Sequence, residues 1–114
     1  MTRKVLLISD DNDFKGFLKI AALTLTKLNH QITITEDRND GYLDWMIIDM
    51  DSDSESNLDF IVNTRKSAAN KNIKIVSVIT NITNELRVRL FQSGCDSIMT
   101  KKEFMAAANN ILIF

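Results

Sequence analysis

Residues 44–53 read Asp-Trp-Met-Ile-Ile-Asp-Met-Asp-Ser-Asp, and the fold turns on how this stretch is read. Trp45 to Ile48 form an unbroken apolar run, and Asp49, Asp51 and Asp53 follow at once. An apolar run without alternation marks a strand buried on both faces, as in a parallel sheet covered by helices. Leu43 to Asp49 therefore reads as one strand of such a sheet. Ligands of open parallel sheets bind beyond the carboxyl ends of the strands. The acids after Ile48 thus fall where chemistry is expected.

The rest of the chain supports this reading. Lys4 to Ser9 (KVLLIS) is a second buried strand, and Gln31 to Thr35 (QITIT) is β-branched and alternating. Lys74 to Thr80 and the weaker Asp96 to Thr100 complete five strands. Between them lie stretches of helical period. Asp13 to Asn29 carries Phe14, Phe17, Leu18, Ala21, Leu25 and Leu28. Ser56-Asn57-Leu58-Asp59 has capping-box form and opens a helix whose inner face is Leu58, Ile61 and Val62. Thr83 to Ser93 is a helix through Leu86 and Leu90, with Gly94 as its stop. Glu103 to Phe114 is a last helix, with Phe104, Ala108, Ile111 and Leu112 inward. This alternation predicts an α/β fold, a doubly wound parallel sheet with helices on both faces. One crossover is too short. Only seven residues, Asp37 to Leu43, separate the second and third strands. A parallel connection takes a dozen or more residues. Either the connection is a tight extended loop or the two strands are not neighbours.

Composition sets bounds. The chain's 114 residues suffice for one domain, 45% of them hydrophobic and 25% charged. With net charge -1 and scattered cations, no direct nucleic-acid or anionic-membrane partner is expected. No apolar run approaches the roughly 20 residues that span a bilayer. The single cysteine, Cys95, forms no internal disulfide, which points to a cytoplasmic setting. Cys95 reads as packed, and His30 as a polar helix terminus.

The strand ends gather a distinctive set. Asp10 and Asp11 follow the first strand, Asp49 ends the third, Thr80 ends the fourth, and Thr100-Lys101 follow the fifth. Clustered carboxylates repel one another unless a cation joins them. A hard, oxygen-seeking ion such as Mg2+ is the natural choice. A carboxylate beside that ion can attack phosphorus, with the lysine and hydroxyl holding the phosphoryl oxygens. A calcium-loop reading of Asp49-Asp51-Asp53 fails, because its sixth position is Ser54 and its twelfth Phe60.

This order of parts resembles the response-regulator receiver family along the whole chain. The resemblance implies a flavodoxin-like fold with strand order 2-1-3-4-5. It makes Asp49, at the end of Asp44-Trp-Met-Ile-Ile-Asp49, the phosphoacceptor. Thr80 and Lys101 become the phosphate contacts. Asp10, Asp11, Asp49 and the backbone carbonyl of Asp51 become the Mg2+ ligands. Ser56 to Ile61 resembles the start of the family's third helix, and Gly94-Cys95-Asp96-Ser97 the turn before its fifth strand. The implied partners are a sensor histidine kinase or phosphotransfer protein, and an output domain or protein. That output would be met through the family's helix 4, strand 5 and helix 5, with a homodimer possible. Residues 1–114 are expected to be one receiver domain, complete or the N-terminal part of a longer regulator. No enzyme activity is implied beyond self-catalysed phosphoryl transfer and autodephosphorylation.

The chain also departs from the family. Ser9 stands where the first acid of the pair is usual, and Asp11 where Glu is frequent. Asp10 is then the main direct metal ligand. Asn81 replaces a small residue, and Ile98 an aromatic one. Lys102 replaces the proline after the lysine, and a cis bond without proline costs roughly 3–4 kcal/mol, so trans is expected. The family's second helix is shortened or absent. These departures carry the alternative reading, a phosphorylation-independent receiver acting as a protein-interaction module. A third reading, from the likeness of Asp49-Met50-Asp51 to the motif of haloacid-dehalogenase-type phosphatases, meets a motif after the third strand instead of the first.

Overall fold

A computed structural model describes residues 2–113 except 40, 52 and 68. Its elements run β1 (Thr2–Ile8), α1 (Asn12–Lys27), β2 (Gln31–Thr35), β3 (Trp45–Asp49), α2 (Ser54–Lys66), β4 (Lys74–Ile79), α3 (Asn84–Ser93), β5 (Ser97–Thr100) and α4 (Lys101–Ile113). The five strands form one sheet in the order β2-β1-β3-β4-β5, and every pairing is parallel. The doubly wound 2-1-3-4-5 sheet expected from the sequence is therefore present.

β1, β3 and β4 bury both faces because each carries apolar residues at successive positions. Val5, Leu7, Ile47, Val76 and Val78 join one cluster with α1 and α4. Leu6, Ile8, Met46, Ile48 and Ile75 join the other with Leu58 and Ile61 of α2 and Leu90 of α3. Helices on both faces thus follow from the unbroken runs. Phe14 of α1 meets Phe104 of α4 with ring centroids 5.7 Å apart, a tilted pair that ties these helices together.

The short crossover resolves as strands that are not neighbours. β1 lies between β2 and β3, and no helix occurs among the described residues of 36–44. Nine extended residues reach about 30 Å. That is enough to return along a five-residue strand of roughly 17 Å. Asp44 anchors the far end: its Oδ2 accepts from the Lys4 N–H at 2.8 Å, and its own N–H donates to the Lys4 carbonyl at 2.9 Å. β2 is adapted to the missing cover. Ile32 and Ile34 pack against the α1 cluster, while the alternate Gln31 and Thr33 are exposed.

Two helix starts differ from expectation. α2 begins at Ser54 and not at Ser56, and its N-cap Asp53 is left-handed (φ 50°) without a side-chain capping bond. The Ser56–Asp59 capping box does not form, because the helix is already under way there. Asn57 turns inward instead and is buried with Leu58 and Ile61, whereas Val62 is half-buried. α4 begins at Lys101 and not at Glu103. The box that starts it is Thr100-Lys-Lys-Glu103: the Glu103 N–H donates to Thr100 Oγ1 and the Thr100 N–H to Glu103 Oε1, both at 3.1 Å. The Lys101–Lys102 bond is trans, as expected, since the described residues contain no cis peptide.

Gly94 ends α3 with φ 111°. Its carbonyl accepts from Arg65 Nε and Nη2 at 2.9 and 2.7 Å, and the same guanidinium donates to the carbonyls of Lys71 and Ile73 and to Asp96 Oδ2. Cys95 is buried, and burial pushes its thiol pKa up. His30 follows α1, its N–H donating to the Leu25 carbonyl at 2.9 Å. Among the described residues no helix is long and apolar enough to cross a membrane.

Candidate functional site

Strand registers bring the site together. β1 pairs Ile8 with Ile48, so Ser9 and Asp49 come next, side by side. β3 pairs Asp49 with Val78, so two residues on Asp51 faces Thr80. β4 pairs Ile79 with Thr100, which sets Lys101 at the same rim. The capping box then fixes Lys101 as the first residue of α4.

Lys101 is the hub. Its Nζ lies 2.9 Å from Asp49 Oδ2, 3.0 Å from Asp11 Oδ2 and 2.8 Å from Asp51 Oδ2. Its side chain is only 14% exposed. Burial pushes its pKa down, but Asp51, Asp49 and Asp11 outweigh that and raise it far above the ordinary lysine value. The ammonium therefore stays charged and supplies the cation the clustered acids require.

Asp49 is 1% exposed. Its Oδ2 also accepts from Ser9 Oγ at 2.6 Å, and its Oδ1 from the Asp51 N–H at 2.9 Å. Its backbone carbonyl accepts from Asn57 Nδ2 at 2.9 Å. Ser9 in turn accepts from the Asp11 N–H at 3.0 Å. Thus Ser9, which breaks the acid pair, orients the central carboxylate.

Asp11 serves as the N-cap of α1, where Oδ1 accepts from the N–H groups of Asp13 and Phe14. The Phe14 N–H first and Lys101 second hold its pKa below the ordinary carboxylate value. The Asp51 side chain also belongs to the site. Its Oδ2 accepts from Thr80 Oγ1 at 2.7 Å and its Oδ1 from the Thr80 N–H at 3.0 Å. Burial pushes its pKa up, but Lys101 and Thr80 win and hold it low.

Asp10 is exposed, and among the described residues nothing bonds its carboxylate. It lines a cavity of about 180 Å³ with Ser9, Arg38, Asp53 and Asn57. Asn81 is exposed and Ile98 half-buried.

Among the described residues no three His, Cys, Asp or Glu side chains are gathered in metal-binding geometry. Asp11 is engaged by the helix cap and Lys101, and the Asp51 carboxylate by Thr80 and Lys101. Of the expected ligands, Asp10 has an unengaged carboxylate, whereas both Asp49 oxygens already accept bonds and would have to exchange one for a cation. Mg2+ takes one or two carboxylates and keeps several waters, so the oxygen chemistry of Asp10, Asp49 and the Asp51 carbonyl suits it.

Three residues of the site were missed by sequence reasoning: Ser9 and Asn57 as orienting groups, and the Asp51 side chain. The signal for Ser9 and Asp51 is their register opposite Asp49 and Thr80. That signal becomes readable only once the strand order is known. Asn57 left none, because its partner is a backbone carbonyl.

No family model matches the chain, and no curated protein matches it. Solved structures match it by shape. A response regulator from Hahella chejuensis gives a TM-score of 0.79 at 17% identity, over 97% of this chain and 92% of its own. The phosphorylated cyanobacterial phytochrome response regulator RcpA gives 0.77 at 12% identity, over 97% and 91%. The receiver domain of a Pseudomonas aeruginosa sensor histidine kinase, with a magnesium ion coordinated in its active-site cleft, gives 0.72 at 17% identity, over 98% and 95%. At such identities the likeness is one of fold. The sheet order, the helices on both faces and these superpositions agree: the chain has the fold of the response-regulator receiver domains.

Proposed function

We propose that the chain is a signalling receiver that accepts a phosphoryl group on Asp49. The supporting observation is the convergence of Asp49, Lys101 and Thr80 at one rim of the sheet, bridged by the Asp51 carboxylate. In the step, an Asp49 carboxylate oxygen forms a bond to phosphorus. The bond from phosphorus to the donor nitrogen or oxygen breaks, and the leaving atom keeps the electron pair and takes up a proton. Lys101 and Thr80 hold the transferred oxygens by charge and hydrogen bond. Bound Mg2+, held by Asp10, Asp49 and the Asp51 carbonyl, would neutralise charge on those oxygens.

The donor on this reading is a sensor histidine kinase or phosphotransfer protein in the cytoplasm. Output passes through Thr80 to the face of α3, β5 and α4, toward an output domain, a partner or a second copy of the chain. That face carries exposed apolar side chains, Val88 and Phe91 of α3 and Met105 of α4.

The test is intact mass after incubation with acetyl phosphate and Mg2+. One phosphoryl group should be gained by the wild type and none by Asp49→Asn. No gain, or a gain that survives Asp49→Asn, refutes the reading.

A second reading is favoured by the saturation of Asp49 by Ser9, Lys101 and the Asp51 N–H. On it the domain is a phosphorylation-independent interaction module. Tight Mg2+ binding that requires both Asp10 and Asp49 would count against it.

A further inference from the structure

Phosphorylation of Asp49 needs free donors at Thr80 and Lys101, and neither has one. A lysine ammonium carries three protons. Those of Lys101 face Asp11, Asp49 and Asp51 at 3.0, 2.9 and 2.8 Å. A threonine hydroxyl carries one proton, and that of Thr80 points at Asp51 Oδ2 at 2.7 Å. Both Asp51 oxygens are used, since Oδ1 takes the Thr80 N–H at 3.0 Å. Asp51 therefore presents two anionic oxygens to a hydroxyl, an amide and an ammonium, as a phosphoryl group would. The β3–β4 register favours this placement, because Asp49 pairs with Val78, and Asp51 and Thr80 each follow two residues on.

We propose that the Asp51 carboxylate is an internal stand-in for the phosphoryl group, which keeps Thr80 and Lys101 in their anion-bound arrangement and must swing out before Asp49 is phosphorylated. This rests on the reading of Asp49 as acceptor. Asp51 is then a positioning residue that slows the transfer. It also holds Thr80 drawn into the site when no phosphate is present. The side chain has room to leave, being 29% exposed.

Two measurements test this on the full chain. The first titrates inorganic phosphate into wild type, Asp51→Asn and Asp53→Asn, and follows the Thr80 amide in ¹H–¹⁵N spectra. Asp53 removes the same charge nearby but has no side-chain bond to Thr80 or Lys101. Asp51→Asn should bind phosphate at Thr80 roughly ten-fold tighter or more than the other two, the effect of one charge-assisted bond set free. Equal affinities, or an equal gain in Asp53→Asn, overturn the proposal. The second compares rates of mass gain with acetyl phosphate and Mg2+. Where the protein gains mass, Asp51→Asn should gain it faster than wild type, and an equal or slower non-zero rate overturns the proposal. Tighter phosphate at Thr80 with no mass gain in either protein would uphold the stand-in role and remove Asp49 as acceptor. The two ideas can therefore fail separately. The near-equal shape of Asn and Asp keeps the fold, which circular dichroism verifies.

Discussion

At the residue scale, Ser9 shows how a departure from a family pattern can acquire a role. An acid there would add a fourth carboxylate beside Asp11, Asp49 and Asp51. A hydroxyl relieves that repulsion and donates its only proton to Asp49 Oδ2 at 2.6 Å. Ser9→Ala removes a charge-assisted bond to a carboxylate that is 1% exposed. Such bonds are worth about 1–3 kcal/mol, so stability in urea should fall by that order. A loss below roughly 0.5 kcal/mol, the range of neutral surface changes, would show that Lys101 and the Asp51 N–H suffice to orient Asp49. The acids, Thr80 and Lys101 were readable because strand-end position alone predicts the rim. Ser9, Asn57 and the Asp51 side chain were not, because their roles depend on register and on which way a side chain leaves the backbone.

At the element scale, legibility followed the strength of local signals. The buried strands were plain because their apolar runs exceed anything a turn tolerates, and Gly94 was plain as a helix stop. The start of α2 was misplaced by two residues. Asp53 enters it left-handed without a capping side chain, so composition held no cue to Ser54. The start of α4 was misplaced as well, although Thr100 and Glu103 hold the three-residue spacing of a capping box. Reading Asp96 to Thr100 as strand hid it. Gly94 offers the sharpest test at this scale. A Cβ there would sit 2.6 Å from Arg65 Cγ, at φ +111°. Arg65 cannot retreat cheaply, because its five hydrogen bonds tie α2 to the loops before β4 and β5. Gly94→Ala should therefore cost at least about 2 kcal/mol in urea unfolding, backbone strain alone supplying roughly 1–2. Amide exchange should rise at the β4–β5 pairing before it rises at β1. A near-neutral Gly94→Ala would mean that the Arg65 clamp is loose.

At the scale of the whole molecule, ion pairing is uneven in depth, and pH separates its layers. Asp11, Glu36, Asp51, Glu55 and Glu103 are all held below their ordinary pKa values. The Phe14 N–H acts first on Asp11, Lys19 on Glu36, Arg89 on Glu55 and the Thr100 N–H on Glu103. For Asp51, Lys101 and Thr80 overcome the opposing effect of burial. A carboxyl depressed by folding contributes stability above its unfolded pKa and loses it as pH falls through the folded value. Lys101 is raised, so its contribution is complete below 10.5 and disappears only on the far alkaline side. The thermal midpoint should then hold steady from about pH 8 to about pH 5 and fall progressively below 4.5. Salt divides that fall. The Glu36 pairs with Lys15 and Lys19 and the Glu55–Arg89 pair lie near the surface, where ions screen them. The Lys101 cluster is shielded, its lysine 14% exposed. In about 0.5 M NaCl the first part of the acid loss should therefore shrink while the part due to Asp51 persists. Differential scanning calorimetry across pH at two salt concentrations reads both parts. If salt abolished the whole acid dependence, the Lys101 cluster would contribute no more than the surface pairs, and the rim would lack the ordered charge that the proposed phosphoryl chemistry needs.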